Sequence, residues 1–296
     1  MNTMKALVHT NLEKFILQKK EAIIMGNKLV EGLSAMNTTS LQVAPDILVM
    51  NFTIVSACLI GTADNYILVD TGLENSAKFI LECIEDKFGR NSKPKAIVLT
   101  HGHFDHVGSV IKLSELWNVP VYIHQLEMPY VTGKKDYPVG DPTVDQGLVA
   151  KLSPTFPHKS IDITAYAEAL PDDGSIPGMP EWNWIHTPGH TEGHIALFRG
   201  KDRVLIAADA FSTTKQESLL SVMAHKEQIS GPPKYLTTDW KAAENSVRIL
   251  RNLKPSLAIP SHGEPMKGKE LTRHLDMLVN NFREIAVPDK GAFVNK

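Results

Sequence analysis

The chain has 296 residues, with 43% hydrophobic and 22% charged side chains and a formal net charge of −2 at pH 7. This length is enough for one large globular domain or two smaller ones, and the ordinary composition argues against a disordered tail or a linker protein. The near-neutral charge gives no electrostatic reason to expect a nucleic acid or an anionic membrane surface as the partner.

The first 26 residues lack the uninterrupted apolar core of a signal peptide, because lysine and glutamate side chains break it up. No later apolar run approaches the ~20 residues that a membrane-spanning helix needs. Cys58 and Cys83 are the two cysteines of the chain. They are too few for a disulfide-stapled secreted domain, and we interpret both as core thiols. These features predict a cytoplasmic protein.

Residues 10–35 carry apolar side chains at helical spacing, interrupted at Gly26, which predicts one or two helices. We therefore divide the chain into an N-terminal helical extension over 1–40 and a main domain over 41–296. The pattern does not determine the oligomeric state, although exposed N-terminal helices would suit the contact of a homodimer.

The first half of the main domain alternates strand-like and helix-like segments. The runs VSACLIG and NYILVD on either side of TADN predict a β-hairpin. An amphipathic helix is predicted within 71–89, ended by Gly89, followed by a buried strand in KAIVLT. A helix stopped by Pro120 and a strand in VYIH complete this half.

Residues 125–180 contain many Pro, Gly and Asp residues and no clear periodicity, so we interpret them as an insertion lying over the domain. Strands are predicted again in EWNWIHTPGH, HIALFRG and RVLIAADA. A helix in DWKAAENSVRILRNL, a strand in SLAIP and a helix in KELTRHLDMLVNNF follow. Two successive β-then-α blocks indicate two packed sheets with helices outside, an α/β layered domain.

The stretch LTHGHFDHVG, at 99–108, places three histidines and one aspartate within six positions directly after a strand. His101, His103, Asp105 and His106 form the pattern HxHxDH on a loop, where neighbouring side chains can converge on one point. Imidazole and carboxylate are the usual ligands of zinc and its first-row neighbours. A single histidine is more often solvated or a hydrogen-bonded core residue, but four such groups at this spacing favour a metal site.

Three later segments place further ligand-type side chains at the ends of apolar strands: His190 in TPGHTEGH, Asp209 in AADA and His262 in PSHGEP. A polar group at such a position is costly unless it points into a shared cleft. Taken alone, each has a local explanation as a strand-end cap or a turn residue. The joint pattern predicts that all three complete the site.

The motifs THGHFDHVG, VDTG, TPGHTEGH, AADA and SHG occur in the order typical of the metallo-β-lactamase superfamily, which this chain resembles over roughly residues 41–281. The resemblance implies a four-layer αββα sandwich. It also implies two metal positions bridged by Asp209. The implied ligands are His101, His103 and His190 at the first position, and Asp105, His106 and His262 at the second.

The chemistry that this resemblance implies is hydrolysis. Two divalent ions, Zn²⁺ first and Mn²⁺ or Fe²⁺ as alternatives, would hold a bridging hydroxide that attacks a small ester, lactone, thioester or phosphoester. Asp105 would orient this nucleophile or move a proton to the leaving group. Asp70 in VDTG resembles the carboxylate that holds the second ring nitrogen of a ligand histidine. His194 is assigned either to hydrogen bonding behind the ligands or to a substrate contact, and His124 and His186 to structural roles.

Two other classes of function stay open on the sequence. A mononuclear iron dioxygenase of the persulfide dioxygenase kind would hold one iron with part of the same ligand set. A non-catalytic binding protein would keep the fold and the metal without turnover. For the hydrolase we expect a small-molecule partner, with substrate walls formed by 125–180 and 211–236. The candidates for an apolar lining are Tyr130, Tyr137, Tyr235 and Met223.

Overall fold

The computed structural model describes residues 38–214 and 229–294. The predicted N-terminal helices over 10–35, and Met223, lie outside these residues. Within the described ranges, strands form one sheet of seven and one sheet of five. The first strand begins at Thr38, three residues before the domain start predicted at 41.

The strands of the seven-stranded sheet lie in chain order, from β1 to β7. The first four pair antiparallel, whereas β4, β5, β6 and β7 pair parallel to one another. The C-terminal ends of these last four strands therefore meet at one edge of the sheet. The strands are β1 (Thr38–Ala44), β2 (Ile47–Phe52), β3 (Ser56–Thr62), β4 (Asn65–Val69), β5 (Ile97–Val98), β6 (Val121–Ile123) and β7 (Ala167–Ala169).

Helices connect the parallel strands of this sheet. They are α1 (Ala77–Phe88) between β4 and β5, and α2 (Phe104–Val107) and α3 (Val110–Trp117) between β5 and β6. α1 ends at Gly89, as predicted. α3 ends before Pro120, because Asn118 adopts a left-handed conformation and its N–H bonds to the Ser114 carbonyl.

The five-stranded sheet has the order β12, β11, β10, β9, β8. The strands β8, β9 and β10 form an antiparallel meander, and β11 returns parallel to β10 through the helix α6. The elements are β8 (Trp182–His186), β9 (Ile195–Arg199), β10 (Val204–Ala208), α6 (Trp240–Asn252), β11 (Leu257–Pro260), β12 (Met266–Lys267), α7 (Gly268–Asn280) and α8 (Phe282–Ile285).

Alternating side chains of the strands separate the core into layers. On β3, Cys58 and Ile60 face the other sheet, whereas Leu59 belongs to the apolar cluster that includes α1 and α3. On β9, Leu197 lies between the sheets and Ala196 packs with residues of α6 and α7. This period of two gives one apolar layer between the sheets and one beneath the helices on each side. The fold is the αββα sandwich expected from the sequence.

Residues 125–180 contain short elements rather than one irregular loop. They hold α4 (Met128–Val131), α5 (Leu148–Leu152) and two 3-10 turns, Gln125–Glu127 and Ser153–Thr155. The segment also supplies β7, which extends the seven-stranded sheet. Elements of five residues or fewer produce too little periodicity to be predicted. In the part of the chain described here, no helix combines the length and the apolar character needed to span a membrane.

Candidate metal centre

The predicted ligand residues come together where strand ends of the two sheets meet. His101 and His103 lie on the loop after β5 in the first sheet, whereas Asp105 and His106, predicted on the same loop, lie in the short helix α2. His190 lies in the turn between β8 and β9 of the second sheet. Asp209 follows β10 and His262 follows β11. All seven predicted ligands are buried, with at most 6% of their surface exposed.

Three histidines of this cluster point ring nitrogens at one another. The Nε2 atom of His101 is 2.9 Å from Nδ1 of His103, which is 2.9 Å from Nε2 of His190. Burial, followed by the neighbouring His106, holds the pKa of His101 well below its ordinary value, and burial followed by His190 does the same to the pKa of His103. Neutral imidazole is the form in which histidine binds a metal. These three residues could hold a metal ion, and we refer to them as the first metal position.

A second set combines Asp105, His106 and His262. The Nε2 atoms of His106 and His262 lie 3.9 Å and 3.6 Å from the two carboxylate oxygens of Asp105. Burial alone would lower the pKa of His106, but the carboxylates of Asp209, Asp70 and Asp105 outweigh it and raise this pKa well above the ordinary value. These three carboxylates around His106 concentrate negative charge that a divalent cation would balance. We refer to the set of Asp105, His106 and His262 as the second metal position.

Asp209 lies between the two positions. Its Oδ2 atom is 3.1 Å from Nε2 of His190 and 3.3 Å from Nε2 of His262, and its Oδ1 atom is 3.5 Å from Nε2 of His106. The preceding residue, Ala208, has a φ of 48°, a left-handed conformation that ends the regular path of β10. A carboxylate that reaches both sets of histidines can bridge two ions.

Unpartnered atoms show that the cluster fits a metal. Among the described residues, Asp105 Oδ1, His106 Nε2 and Asp209 Oδ1 are buried without a hydrogen-bond partner. Buried polar atoms are normally paired, and an unpaired one costs about 1–3 kcal/mol. All three atoms lie in one cluster, because Nε2 of His106 is 3.9 Å from Oδ1 of Asp105 and 3.5 Å from Oδ1 of Asp209. Together with the imidazole and carboxylate donors, they suit a divalent first-row ion.

Hydrogen bonds behind the ligands orient His106. Asp70, directly after β4, places Oδ2 at 2.8 Å from Nδ1 of His106. Asp70 also accepts the backbone N–H and the hydroxyl of Thr100, each at 2.8 Å. A ring held through Nδ1 presents Nε2 to the cluster. Asp70 therefore has the position that the resemblance implied for a carboxylate holding the second ring nitrogen of a ligand histidine.

Two other ligand histidines are held in the same way. Nδ1 of His262 is 2.6 Å from the Ile54 carbonyl, and Nδ1 of His190 is 3.2 Å from the Thr237 hydroxyl. Each bond leaves Nε2 directed at Asp209. The orientation of both rings is thus fixed by atoms outside the cluster.

His194 lies behind Asp209. Its Nε2 atom accepts the Asp209 backbone N–H at 3.0 Å, and its Nδ1 atom is 2.8 Å from the Thr187 hydroxyl. Burial, followed by His190, lowers the pKa of His194 to about 3, so the ring is neutral. This geometry favours hydrogen bonding behind the ligands over a substrate contact.

The aromatic residues predicted to line the substrate site differ in position. The ring of Tyr137 lies 4.4 Å from that of His103, and Tyr130 stacks on Tyr137 at 3.9 Å. Tyr235 instead packs in a small cluster with Val144 and Ala150. A cavity of about 280 Å³ lies beside the metal loop. Its lining includes Leu73, Gly102, Phe104, Val107, Ile111 and Tyr137.

Glu127 is a residue of this site that the sequence analysis does not identify. Its side chain is fully buried, and it accepts hydrogen bonds from Gly102 in the first ligand loop and from Gly193 in the second. The sequence feature that could have identified Glu127 is its position shortly after β6, at the same sheet edge as Asp70. Its position within the predicted insertion obscured that feature.

The fold and this cluster define the class of protein. Residues 50–262 match the sequence model of the metallo-β-lactamase superfamily. The chain belongs to this superfamily of metallo-hydrolases, and its histidine and aspartate cluster can hold metal.

Individual relatives and solved structures agree with this assignment. The chain is 49% identical over 221 residues to the probable metallo-hydrolase YflN of Bacillus subtilis strain 168, covering 75% of this chain and 84% of that protein. It is similar in fold to TTHA1623 in a di-iron-bound form, with a TM-score of 0.51, 24% identity and coverage of 77% of this chain and 94% of the other. A B3 metallo-β-lactamase with an active-site glutamic acid gives a TM-score of 0.57, 18% identity and coverage of 84% and 90%.

Proposed function

We propose that the protein is a dinuclear metallohydrolase that acts on a small ester, lactone, thioester or phosphoester. One observation carries this proposal: two ligand sets, one of three histidines and one of two histidines and an aspartate, share the carboxylate of Asp209. A site for a single ion would leave the atoms of Asp105 and His106 buried and unpaired.

Two divalent ions, of which we propose Zn²⁺, supply in such a site a water that ionises near neutral pH and a Lewis acid for the substrate oxygen. Mn²⁺ and Fe²⁺ are compatible with the same donors. The residues of the chain would orient the substrate and this water, and they would move protons between them. With one carboxylate oxygen of Asp105 holding an ion at the second position, the other oxygen would accept a proton and pass it to the leaving group.

We place the apolar part of a small-molecule substrate in the cavity beside the metal loop, whose walls contain residues next to the ligands and none of the ligands themselves. The cavity volume of about 280 Å³ and the apolar side chains, such as Phe104 and Ile111, suit a substrate with an apolar part. Gly102 and Phe104 alternate with the ligands His101, His103 and Asp105, so the cavity wall and the ligand loop are one segment.

The test is elemental analysis of protein purified without added metal or chelator, combined with a panel of ester, lactone, thioester and phosphodiester substrates. Two first-row ions per chain together with hydrolysis of one substrate class are expected. One iron per chain together with oxygen consumption on sulfur substrates would establish the dioxygenase in its place. Two ions per chain without any turnover would establish a binding protein.

His190→Ala tests the assignment of ligands. We expect the metal content to fall and turnover to be lost, because the first position keeps two of its three histidines. Glu192→Ala is the matched control, since Glu192 lies in the same turn but is exposed and pairs with Lys135 at 3.5 Å. Full metal content and full turnover in His190→Ala would show that the ligand assignment is wrong.

A further inference from the structure

Glu127 lies between the two loops that carry the first metal position. Its Oε2 atom accepts the Gly102 backbone N–H at 3.1 Å and the Tyr137 hydroxyl. Its Oε1 atom accepts the Thr191 hydroxyl at 2.7 Å and the Gly193 backbone N–H at 2.9 Å. Each oxygen of one fully buried carboxylate thus bonds to a different part of the site.

The two loops come from different sheets. Gly102 stands between His101 and His103, after β5 of the seven-stranded sheet, and Thr191 and Gly193 follow His190, between β8 and β9 of the five-stranded sheet. The first metal position needs nitrogens from both loops, and Nδ1 of His103 and Nε2 of His190 are 2.9 Å apart. Any relative shift of the sheets would change this distance directly.

Close approach to Glu127 accounts for Gly193, and close approach to its hydrogen-bonded partner Tyr137 accounts for Gly102. A Cβ atom at Gly193 would lie 2.7 Å from Cγ of Glu127, and one at Gly102 would lie 2.7 Å from the Tyr137 hydroxyl oxygen. Both distances are below van der Waals contact. The four hydrogen bonds therefore require a residue without a side chain in each ligand loop.

All four donors to Glu127 are neutral groups, and none belongs to a metal ligand. The carboxylate itself stands behind the ligand loops and is absent from the ligand sets. Its contacts are with the backbone and side chains that flank the ligands. Such a residue acts on the metal through the geometry of others.

We propose that Glu127 is a positioning residue that sets the spacing between the His101–His103 loop and the His190 loop, and through it the affinity of the first metal position. This inference rests on the two-metal centre proposed above. It predicts that disturbing Glu127 weakens one position selectively. Loss of hydrogen bonds that orient metal ligands typically reduces metal affinity about 10–100-fold.

The test is a metal titration of apoprotein in two backgrounds. His262→Ala leaves the first position intact, and His190→Ala leaves the second. Glu127→Gln is then added to each background. The amide nitrogen of glutamine is itself a donor, so it would face two of the four groups that donate hydrogen bonds to the Glu127 carboxylate. The expected result is about 10–100-fold weaker Zn²⁺ binding in the His262→Ala background and little change in the His190→Ala background.

Two further variants guard against a general folding defect. Tyr137→Phe removes one donor to Oε2 and should weaken the first position more mildly than Glu127→Gln. Asp141→Asn alters another buried carboxylate of the same segment, which accepts the Thr143 and Ala292 N–H groups. It should lower thermal stability without changing either metal affinity.

The outcomes separate this inference from the proposed function. Wild-type protein that binds fewer than two ions would refute the two-metal centre itself. Wild-type protein that binds two ions, with Glu127→Gln weakening both positions equally or neither, would refute the positioning role and leave the hydrolase proposal intact.

Discussion

Asp70 and His106 are joined by a hydrogen bond of 2.8 Å between Oδ2 and Nδ1. Asp70 has a φ of 59°, a left-handed conformation that costs a residue with a Cβ about 1–3 kcal/mol. Its bonds to Thr100 and His106 hold it there. In the neutral ring that would bind a metal, Asp70 thus keeps the proton on Nδ1 of His106 and leaves Nε2 for the second metal position.

Asp70→Asn should weaken the second metal position about 10–100-fold. An amide nitrogen facing His106 would donate to Nδ1 and favour the tautomer with a proton on Nε2, which cannot bind metal. Competition of the apoprotein with a chromophoric chelator measures the affinity. Thr100→Val removes the hydroxyl bond to Asp70 and the contact of that hydroxyl with Nδ1 of His101, but it keeps the bond between Asp70 and His106. It should therefore have a smaller effect on the second position. Equal affinities in Asp70→Asn and wild type would rule out this role.

Removal of metal should destabilise the whole domain. Ligands from both sheets share the ions, so binding to the folded state alone stabilises it, by about 4 kcal/mol at a free metal concentration 1,000 times Kd. For a domain of this size the corresponding fall in Tm is on the order of 10 °C. Thermal unfolding with EDTA, and again after Zn²⁺ is restored, measures it. An unchanged Tm in protein shown to be metal-free would contradict a site that links the two sheets.

Arg199 should matter for stability and not for activity. It is 1% exposed, donates to Asp202 at 2.7 Å and 2.9 Å, pairs with Asp46 and stacks on Trp182. It lies at the end of β9 opposite to the metal cluster. Arg199→Met should lower the free energy of unfolding by about 1–3 kcal/mol, because the charged hydrogen bonds to Asp46 and Asp202 are lost while both carboxylates keep some access to water.

Denaturant titration and turnover of the same sample test the Arg199 prediction. Arg199→Lys should fall between Arg199→Met and wild type, since lysine keeps the charge but not the paired geometry. A loss of turnover in fully folded Arg199→Met would show that this end of the sheet influences the site.

His124 should make stability depend on pH between about 4 and 6.5. Burial, followed by the stacked ring of His186 at 4.4 Å, lowers the pKa of His124 to about 4, below the value of about 6.5 in an unfolded chain. In this window the unfolded state binds more protons than the native state. The contribution of His124 is therefore complete above pH 6.5 and is lost as the pH falls toward 4.

His124→Asn should flatten that part of the stability profile. Asparagine retains an acceptor for the Leu126 N–H, which His124 accepts through Nδ1 at 3.3 Å. Denaturant midpoints of wild type and variant at pH 4.5, 5.5 and 7 give the comparison. Parallel profiles would exclude His124 as the titrating group.

Most of the fold could be predicted because it depends on patterns of many residues. The hairpin around TADN, the helix ended by Gly89 and the strands that precede His101, Asp209 and His262 are all present. The layered arrangement follows from alternating apolar residues. The cluster of seven residues was predictable because four of them form one HxHxDH motif after a strand and the other three each follow a further apolar strand.

Asp70 and His194 were predicted, but Glu127 and its bond to Tyr137 were harder to predict because their roles depend on contacts between segments far apart in the chain. Glu127 contacts Gly193, 66 residues away, and Tyr137 contacts Gly102, 35 residues away. A lone glutamate or tyrosine in a segment of short helices carries no pattern of its own. These contacts form when the two sheets pack together, and the local sequence does not reveal how the sheets pack.

The parallel pairing of β11 with β10 has a consequence for how the protein acquires its metal. Parallel strands joined by a long crossover form slowly, because a large loop must close before any contact is made. In a newly made chain, the histidines of the first motif are also synthesised well before β11 and His262. The complete cluster exists only once both sheets have assembled, so uptake of the full metal complement reports the end of folding. A variant that folds slowly would compete poorly for scarce metal in a cell, even if its final structure were normal.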